Sequence, residues 1–205
     1  MNFNKYNIMK RLEIEYNITA MDTLVSLARY NFVIRTTNNE AFSVLDYGCG
    51  SGYGTKVLKE KFKDVSSFDV YPDDYLPKGI EVSQNINSIR EKKYDVITCF
   101  EVIEHMGEKY QEELMKELRS LLTENGILYI STVRKMTPPP TENRKKEHVR
   151  ELTFEELLAF CNKHFSNVFT FGQIDQTITT FYKENHYHFV FICTNPKLKL
   201  NVTSN

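Results

Sequence analysis

At 205 residues the chain is long enough for one domain with a sizeable core and too short for a second independent catalytic domain. Its composition, 41% hydrophobic and 26% charged with 14 Phe, 12 Tyr and no Trp, excludes global disorder. A formal net charge of −1 means that no overall field draws the chain to a polyanion. Nucleic-acid binding therefore needs a local patch, for which Arg144-Lys145-Lys146 is the candidate.

No stretch approaches the length needed to cross a bilayer, and Met1-Asn2-Phe3-Asn4-Lys5-Tyr6 lacks the apolar run of a signal peptide. Cys49, Cys99, Cys161 and Cys193 lie far apart with no Cys-x-x-Cys pair. Free thiols and a cytoplasmic location are the expectation.

In chain order, residues 1–35 read as a leading helical segment whose clearest face is Leu24, Leu27, Ala28 and Phe32. Ala41 to Asp46 is a short apolar run ending in an acid and a glycine-rich turn. Val57, Leu58 and Phe62 follow at helical spacing, which gives strand, loop and helix. Val65 to Val70, Ile80 to Ile86 and Asp95 to Phe100 read as a second, third and fourth strand. Leu114, Leu118, Leu121 and Leu122 mark an amphipathic helix that Asn125-Gly126 is expected to stop, with a fifth strand from Ile127 to Ser131. Pro138-Pro139-Pro140 forbids regular structure and opens a polar insertion over residues 136–150. Thr153 and Glu156 have capping-box spacing, with Leu152 and Leu157 placed as a hydrophobic staple. Val168 to Phe171 and His188 to Cys193 are the last two strands, and no long helix is evident between them. The aromatic clusters Phe165, Phe169, Phe171 and Phe181, Tyr182, Tyr187, Phe189 are expected to be core.

These elements predict a single α/β domain spanning residues 1–205, with its core over 36–198. The sheet is expected to be doubly wound, seven-stranded and mostly parallel, with an antiparallel C-terminal edge hairpin. Ligands on such sheets sit beyond the carboxyl ends of the strands, so the residues there carry the functional information.

The run Asp46-x-Gly48-x-Gly50-x-Gly52 lets a ligand lie directly on the turn backbone and the helix N-terminus. A dinucleotide fingerprint needs glycine three places after Gly50, where this chain has Tyr53, which disfavours a dehydrogenase. Asp69 ends the second strand, where a carboxylate can accept hydrogen bonds from ribose hydroxyls. Asn85-Ile86 ends the third, and Tyr94 to His105 contains the fourth followed by Glu101-Val102-Ile103-Glu104-His105.

The glycine run, the stretch Tyr94 to His105, the stretch Leu118 to Leu128 and the upstream Arg29-Tyr30-Asn31-Phe32 together resemble the class I S-adenosylmethionine-dependent methyltransferases. The resemblance extends from about Arg29 to Gln173. It implies a Rossmann-like methyltransferase fold, S-adenosyl-L-methionine as cofactor, and methyl transfer to an O or N atom of a small-molecule acceptor. A sugar or nucleotide-linked sugar is among the candidates, because the Arg29 motif is similar to one in sugar-pathway members. The implied cofactor contacts are Arg29, Asp46, Gly48, Gly50, Tyr53, Asp69, Asn85, Ile86, Phe100 and Glu101. Asn85 stands where the family usually has an acid, but its amide oxygen can accept the same bond. The 136–150 insertion is expected on the acceptor side.

Methyl transfer is an in-line displacement, so much of the rate comes from holding the acceptor atom about 3–3.5 Å from the methyl. A base is required only for a weakly acidic hydroxyl or a protonated amine. His105 and His148 are the candidates. The competing readings are an orienting role for His105 and a surface position for His148. Glu101, Glu104, His105 and His148 also match the pattern by which small-RNA 3′-terminal 2′-O-methyltransferases hold a divalent metal. Metal-assisted RNA methylation is therefore an alternative, although the near-neutral charge and the Arg29 motif favour a small acceptor and no metal. A catalytically silent cofactor-binding scaffold is the third reading. Nothing in the spacing fixes the oligomeric state.

Overall fold

The structure is a computed structural model that describes residues 21–139, 141–180 and 186–197. The leading part of the predicted helical segment, residues 198–205, and Phe181 and Tyr182 lie outside the described residues. The elements run α1 (Met21–Thr36), β1 (Ser43–Tyr47), α2 (Tyr53–Lys59), β2 (Asp64–Phe68), α3 (Ile86–Ile89) and β3 (Tyr94–Phe100). After a 3-10 turn (Ile103–His105) come α4 (Glu108–Leu121), β4 (Leu122–Val133), α5 (Glu142–Glu147), α6 (Phe154–His164), β5 (Phe165–Ile174), β6 (Thr177–Thr179) and β7 (His188–Pro196).

One seven-stranded sheet has the order β2-β1-β3-β4-β7-β5-β6. β2, β1, β3 and β4 are mutually parallel, while β7 runs antiparallel to both β4 and β5. β5 therefore points with the first four, and β6 folds back on it as a hairpin. Strands buried on both faces feed two cores, because successive side chains point to opposite sides. Val44, Val96, Phe100 and Tyr129 pack with Tyr30, Val33 and Leu58 on the α1/α2 face. Leu45, Ile97, Cys99, Leu128 and Ile130 pack with Leu114, Leu118, Leu157 and Cys161 on the α4/α6 face. This is the doubly wound α/β architecture the pattern predicts. All four cysteines are buried and free. Among the described residues no helix is long and apolar enough to cross a membrane.

Several boundaries follow directly from local chemistry. Thr153 Oγ1 accepts from the Glu156 N–H at 3.2 Å while Glu156 Oε2 accepts from the Thr153 N–H at 2.8 Å, a closed capping box. Leu152 and Leu157 are both fully buried in the same core on either side of it.

Four expectations are corrected. The third strand over residues 80–86 is not formed. Ser83 makes a single parallel bridge to Phe68, because Ser83 N–H donates to Ser67 O and the chain then turns into α3. The seventh strand is instead the short β6. The helix before β4 ends at Leu121, and Asn125-Gly126 sits in an irregularity of the β3–β4 ladder, where pairing jumps from Tyr94↔Leu122 to Val96↔Ile127. The buried face of α1 is Ser26, Arg29, Tyr30 and Val33 rather than Leu24, Leu27, Ala28 and Phe32, which are half-buried. Phe165 and Phe189 are core, but Phe169 and Tyr187 are exposed, and Phe171 stacks edge-on with Phe32 at 5.0 Å.

Candidate active site

The glycine loop after β1 is built from its floor. Asp46, 1% exposed, accepts from three hydroxyls: Thr55 at 2.7 Å, Thr98 at 2.8 Å and Tyr30 at 3.2 Å. These ties join α1, α2 and β3 beneath the loop. Asp46 therefore positions the loop from below. Burial outweighs these bonds and, with Asp69 nearby, raises its carboxyl from 3.8 to about 6. A carboxyl raised in the folded state contributes stability fully below about pH 4 and loses it as pH climbs through about 6. We expect Asp46→Asn to remove from the stability profile a fall of about 3 kcal/mol between pH 4 and 7. Urea denaturation across that range checks this, and parallel profiles for the two proteins would refute it.

Gly48, Gly50 and Gly52 all have left-handed φ values, 76°, 56° and 74°. A side chain at Gly48 would also collide with Val102, whose Cγ2 stands 2.3 Å from the Cβ position. Asp69 locks the loop, with Oδ2 accepting from Gly50 N–H and Oδ1 from Tyr71 N–H, both at 2.8 Å. Asn85 is exposed and caps α3, its Oδ1 accepting from Asn87 N–H at 3.1 Å, and Ile86 packs partly against the α4-side core. Phe100 is buried edge-on to Tyr30, with ring centroids 5.1 Å apart.

Arg29 is 3% exposed between α1 and β5. Its Nη1 donates to Gln173 Oε1 at 2.9 Å and Nη2 to Ser26 Oγ at 3.2 Å, while Nε has no hydrogen-bond partner among the described residues. A buried guanidinium with an unused donor is costly unless a ligand anion completes it. Tyr53, at the start of α2, packs edge-on against Tyr30, the neighbour of Arg29 in α1, with ring centroids 5.5 Å apart. A carboxylate-bearing cofactor end fits these residues.

Beyond β3 and β4 a second group assembles. Glu101, in a left-handed conformation with φ 56°, accepts from Ser131 Oγ at 2.7 Å and stands 3.4 Å from His188 Nε2. Glu104 is 1% exposed and accepts from Thr132 Oγ1 at 2.9 Å. Burial, and after it the Glu101 charge, push its carboxyl well above the usual carboxylate range. His105 Nδ1 donates to the Glu147 carbonyl at 2.9 Å, and His148 Nδ1 donates to Glu151 Oε1 at 2.6 Å. In its neutral form each ring would carry its proton on Nδ1 and keep the lone pair on Nε2. Burial and the adjacent His148 lower His105 below the usual imidazole value.

The two rings meet edge-on at 5.1 Å. Glu104, His105 and His148 bring their ligand atoms within 4.8 Å of one another, whereas Glu101 is engaged by Ser131 and His188 and is not part of that group. Of the four residues in the metal-binding pattern, three converge.

The sequence gives no hint of Glu151, which holds the insertion. It accepts from Arg144 Nε, His148 Nδ1 and, at 3.2 Å, the Met136 N–H. The base of the insertion is zipped by Lys135 N–H donating to Leu152 O at 3.1 Å. Ser131, Gln173 and His188 were also unmarked, since each reaches the site only through strand pairing. Arg144 is drawn into this network, so the basic run is not a continuous exposed patch.

A doubly wound sheet with a glycine loop after β1, an acid after β2 and a polar cluster after β3 defines the class of Rossmann-like methyltransferases. The methyltransferase-domain family matches residues 17–177, and the chain belongs to it. S-adenosylmethionine is the cofactor of this class. A ubiquinone biosynthesis O-methyltransferase of Actinobacillus pleuropneumoniae is 28% identical over 109 residues, 45% of this chain and 46% of that protein. The chain thus spans about half the length of the curated relatives it matches. Among solved structures, a Burkholderia thailandensis 1,6-didemethyltoxoflavin-N1-methyltransferase, with 1,6-didemethyltoxoflavin and S-adenosylhomocysteine bound, shares the fold at TM-score 0.62 and 15% identity, over 90% of this chain and 82% of that one. A S-adenosylmethionine-dependent methyltransferase from Archaeoglobus fulgidus does so at TM-score 0.63 and 16% identity, over 88% and 97%.

Proposed function

We propose that the chain transfers a methyl group from S-adenosylmethionine to a hydroxyl or amine of a small acceptor, with a sugar or nucleotide-linked sugar among the candidate classes. The observation that carries this is the juxtaposition at one sheet edge of the glycine loop and unsatisfied Arg29 with the anchored imidazoles of His105 and His148. The cofactor supplies an electrophilic methyl on a sulfonium. Arg29, Ser26 and Tyr53 would hold its carboxylate, Asp69 the ribose, and Asn85 and Ile86 the adenine. The acceptor would lie under the 136–150 insertion, within a catalytic core over residues 36–198. The buried free thiols fit a cytoplasmic setting.

The test is calorimetric titration with S-adenosylhomocysteine, then its release from S-adenosylmethionine across a panel of hydroxyl and amine acceptors. We expect His148→Ala to reduce turnover roughly 10²-fold or more while cofactor affinity stays within a factor of two. Full turnover in that variant would return His148 to a surface role.

The convergence of Glu104, His105 and His148 supports a second reading, cation-assisted transfer to a ribose hydroxyl of RNA. On that reading chelation abolishes turnover and manganese or magnesium restores it. Turnover indifferent to chelator removes the metal.

A further inference from the structure

Glu101 is held at a cost that the fold does not require. A non-glycine residue at φ 56° is strained, and the half-buried Glu101 carboxyl group gives up part of its hydration. Against burial, which raises its carboxyl, the charges of His188 and Arg29, the Ser131 hydrogen bond and His105 together pull it below the usual value. Its two oxygens are bracketed from different strands, Oε1 by Ser131 of β4 and Oε2 by His188 at the head of β7. Register fixes this bracket, because Glu101 N–H donates to Ser131 O and His188 pairs with both Val133 and Gln173. Gln173 in turn holds Arg29. His188 thus ties the expected cofactor pocket to the side where His105 and His148 stand.

We propose that His188 is a positioning residue: with Ser131 it aims the Glu101 carboxylate to accept a hydrogen bond from the O–H or N–H of the methyl acceptor. The site then selects acceptors that donate hydrogen bonds and rejects anionic groups at that position. This rests on the methyl-transfer reading above. Each carboxylate oxygen has two lone pairs, so its present partners leave capacity for one more donor.

The test uses full-length protein saturated with S-adenosylhomocysteine and ¹⁵N NMR of the histidine side chains, with His188 assigned from His188→Gln. Catechol serves as a neutral donor probe and benzoate as its anionic counterpart. The expected result is an Nε2-protonated His188 whose signals shift on Glu101→Gln. Catechol perturbs them in the parent protein and benzoate does not, and Glu101→Gln weakens catechol binding at least tenfold. Should Glu101→Gln fail to fold, His188→Gln, which keeps a donor, is expected to hold catechol within threefold, and His188→Phe to lose at least tenfold. His188 signals blind to Glu101→Gln, equal losses in the two His188 variants, equal binding of both probes, or no binding of either overturns the proposal. Absence of S-adenosylhomocysteine binding instead overturns the methyl-transfer reading itself.

Discussion

Gly54→Ala is expected to lower the melting temperature by about 6–12 °C, although an ordinary helical glycine-to-alanine change stabilises by roughly 1 kcal/mol. A Cβ at Gly54 would stand 1.9 Å from Tyr30 Cζ and within 2.4 Å of both adjacent ring carbons. The ring has nowhere to go. It is 4% exposed, packs edge-on against Tyr53 at 5.5 Å and Phe100 at 5.1 Å, and its hydroxyl is bound to Asp46. Overpacking such a contact costs about 3 kcal/mol, and the relief open to the molecule is a shift of α1. That shift carries Arg29 and Ser26 with it, so affinity for S-adenosylhomocysteine should fall at least tenfold as well. A melt followed by circular dichroism measures the first effect and calorimetry the second. Pairing Gly54→Ala with Tyr30→Ala supplies the control, because the two changes act on one contact and should be strongly non-additive. A melting temperature equal to or above that of the parent would mean that α1 does not dock as described.

Asp69→Ala is expected to weaken S-adenosylhomocysteine binding by roughly 1–3 kcal/mol, about 5- to 150-fold. Two losses combine. The expected ribose contact disappears, and Gly50 N–H and Tyr71 N–H lose their shared acceptor, which loosens the loop on which the ligand lies. Asp69→Asn separates them, since its single carbonyl oxygen can keep one anchor while the charge is removed. Titration calorimetry of the three proteins reads both contributions. Unchanged affinity in the alanine variant would show that the ribose is held elsewhere.

What could be read from the sequence, and what could not, divides by the range of the interactions. The β1 turn, the β3 strand and the Thr153 cap are local patterns in which each residue's neighbours in the chain are its neighbours in space. The missing third strand is a different case. Ile80 to Ile86 has strand-like composition, but Ser83 alone pairs with β2, so composition overstated the ladder. The face of α1 was misread because apolar periodicity finds the side that meets a greasy core. This helix buries two polar residues, Ser26 and Arg29, on the same face as Tyr30 and Val33, so apolar residues alone do not mark that face. His188, Ser131 and Glu151 left no trace because their partners are brought to them by strand register or by the folding of the insertion.

The single carboxylate of Glu151 ties the insertion at Met136, Arg144 and His148, and Lys135 closes its base on Leu152. None of these ties touches the β1 turn or Asp69. On the proposed reading, with the acceptor under the insertion and the cofactor on the β1 turn, substrate scope and cofactor retention would sit on separable modules. The strap can be traded as a cassette between its zipped ends, and exchanges that keep the Glu151 anchor should alter what is methylated without disturbing how the nucleoside is held.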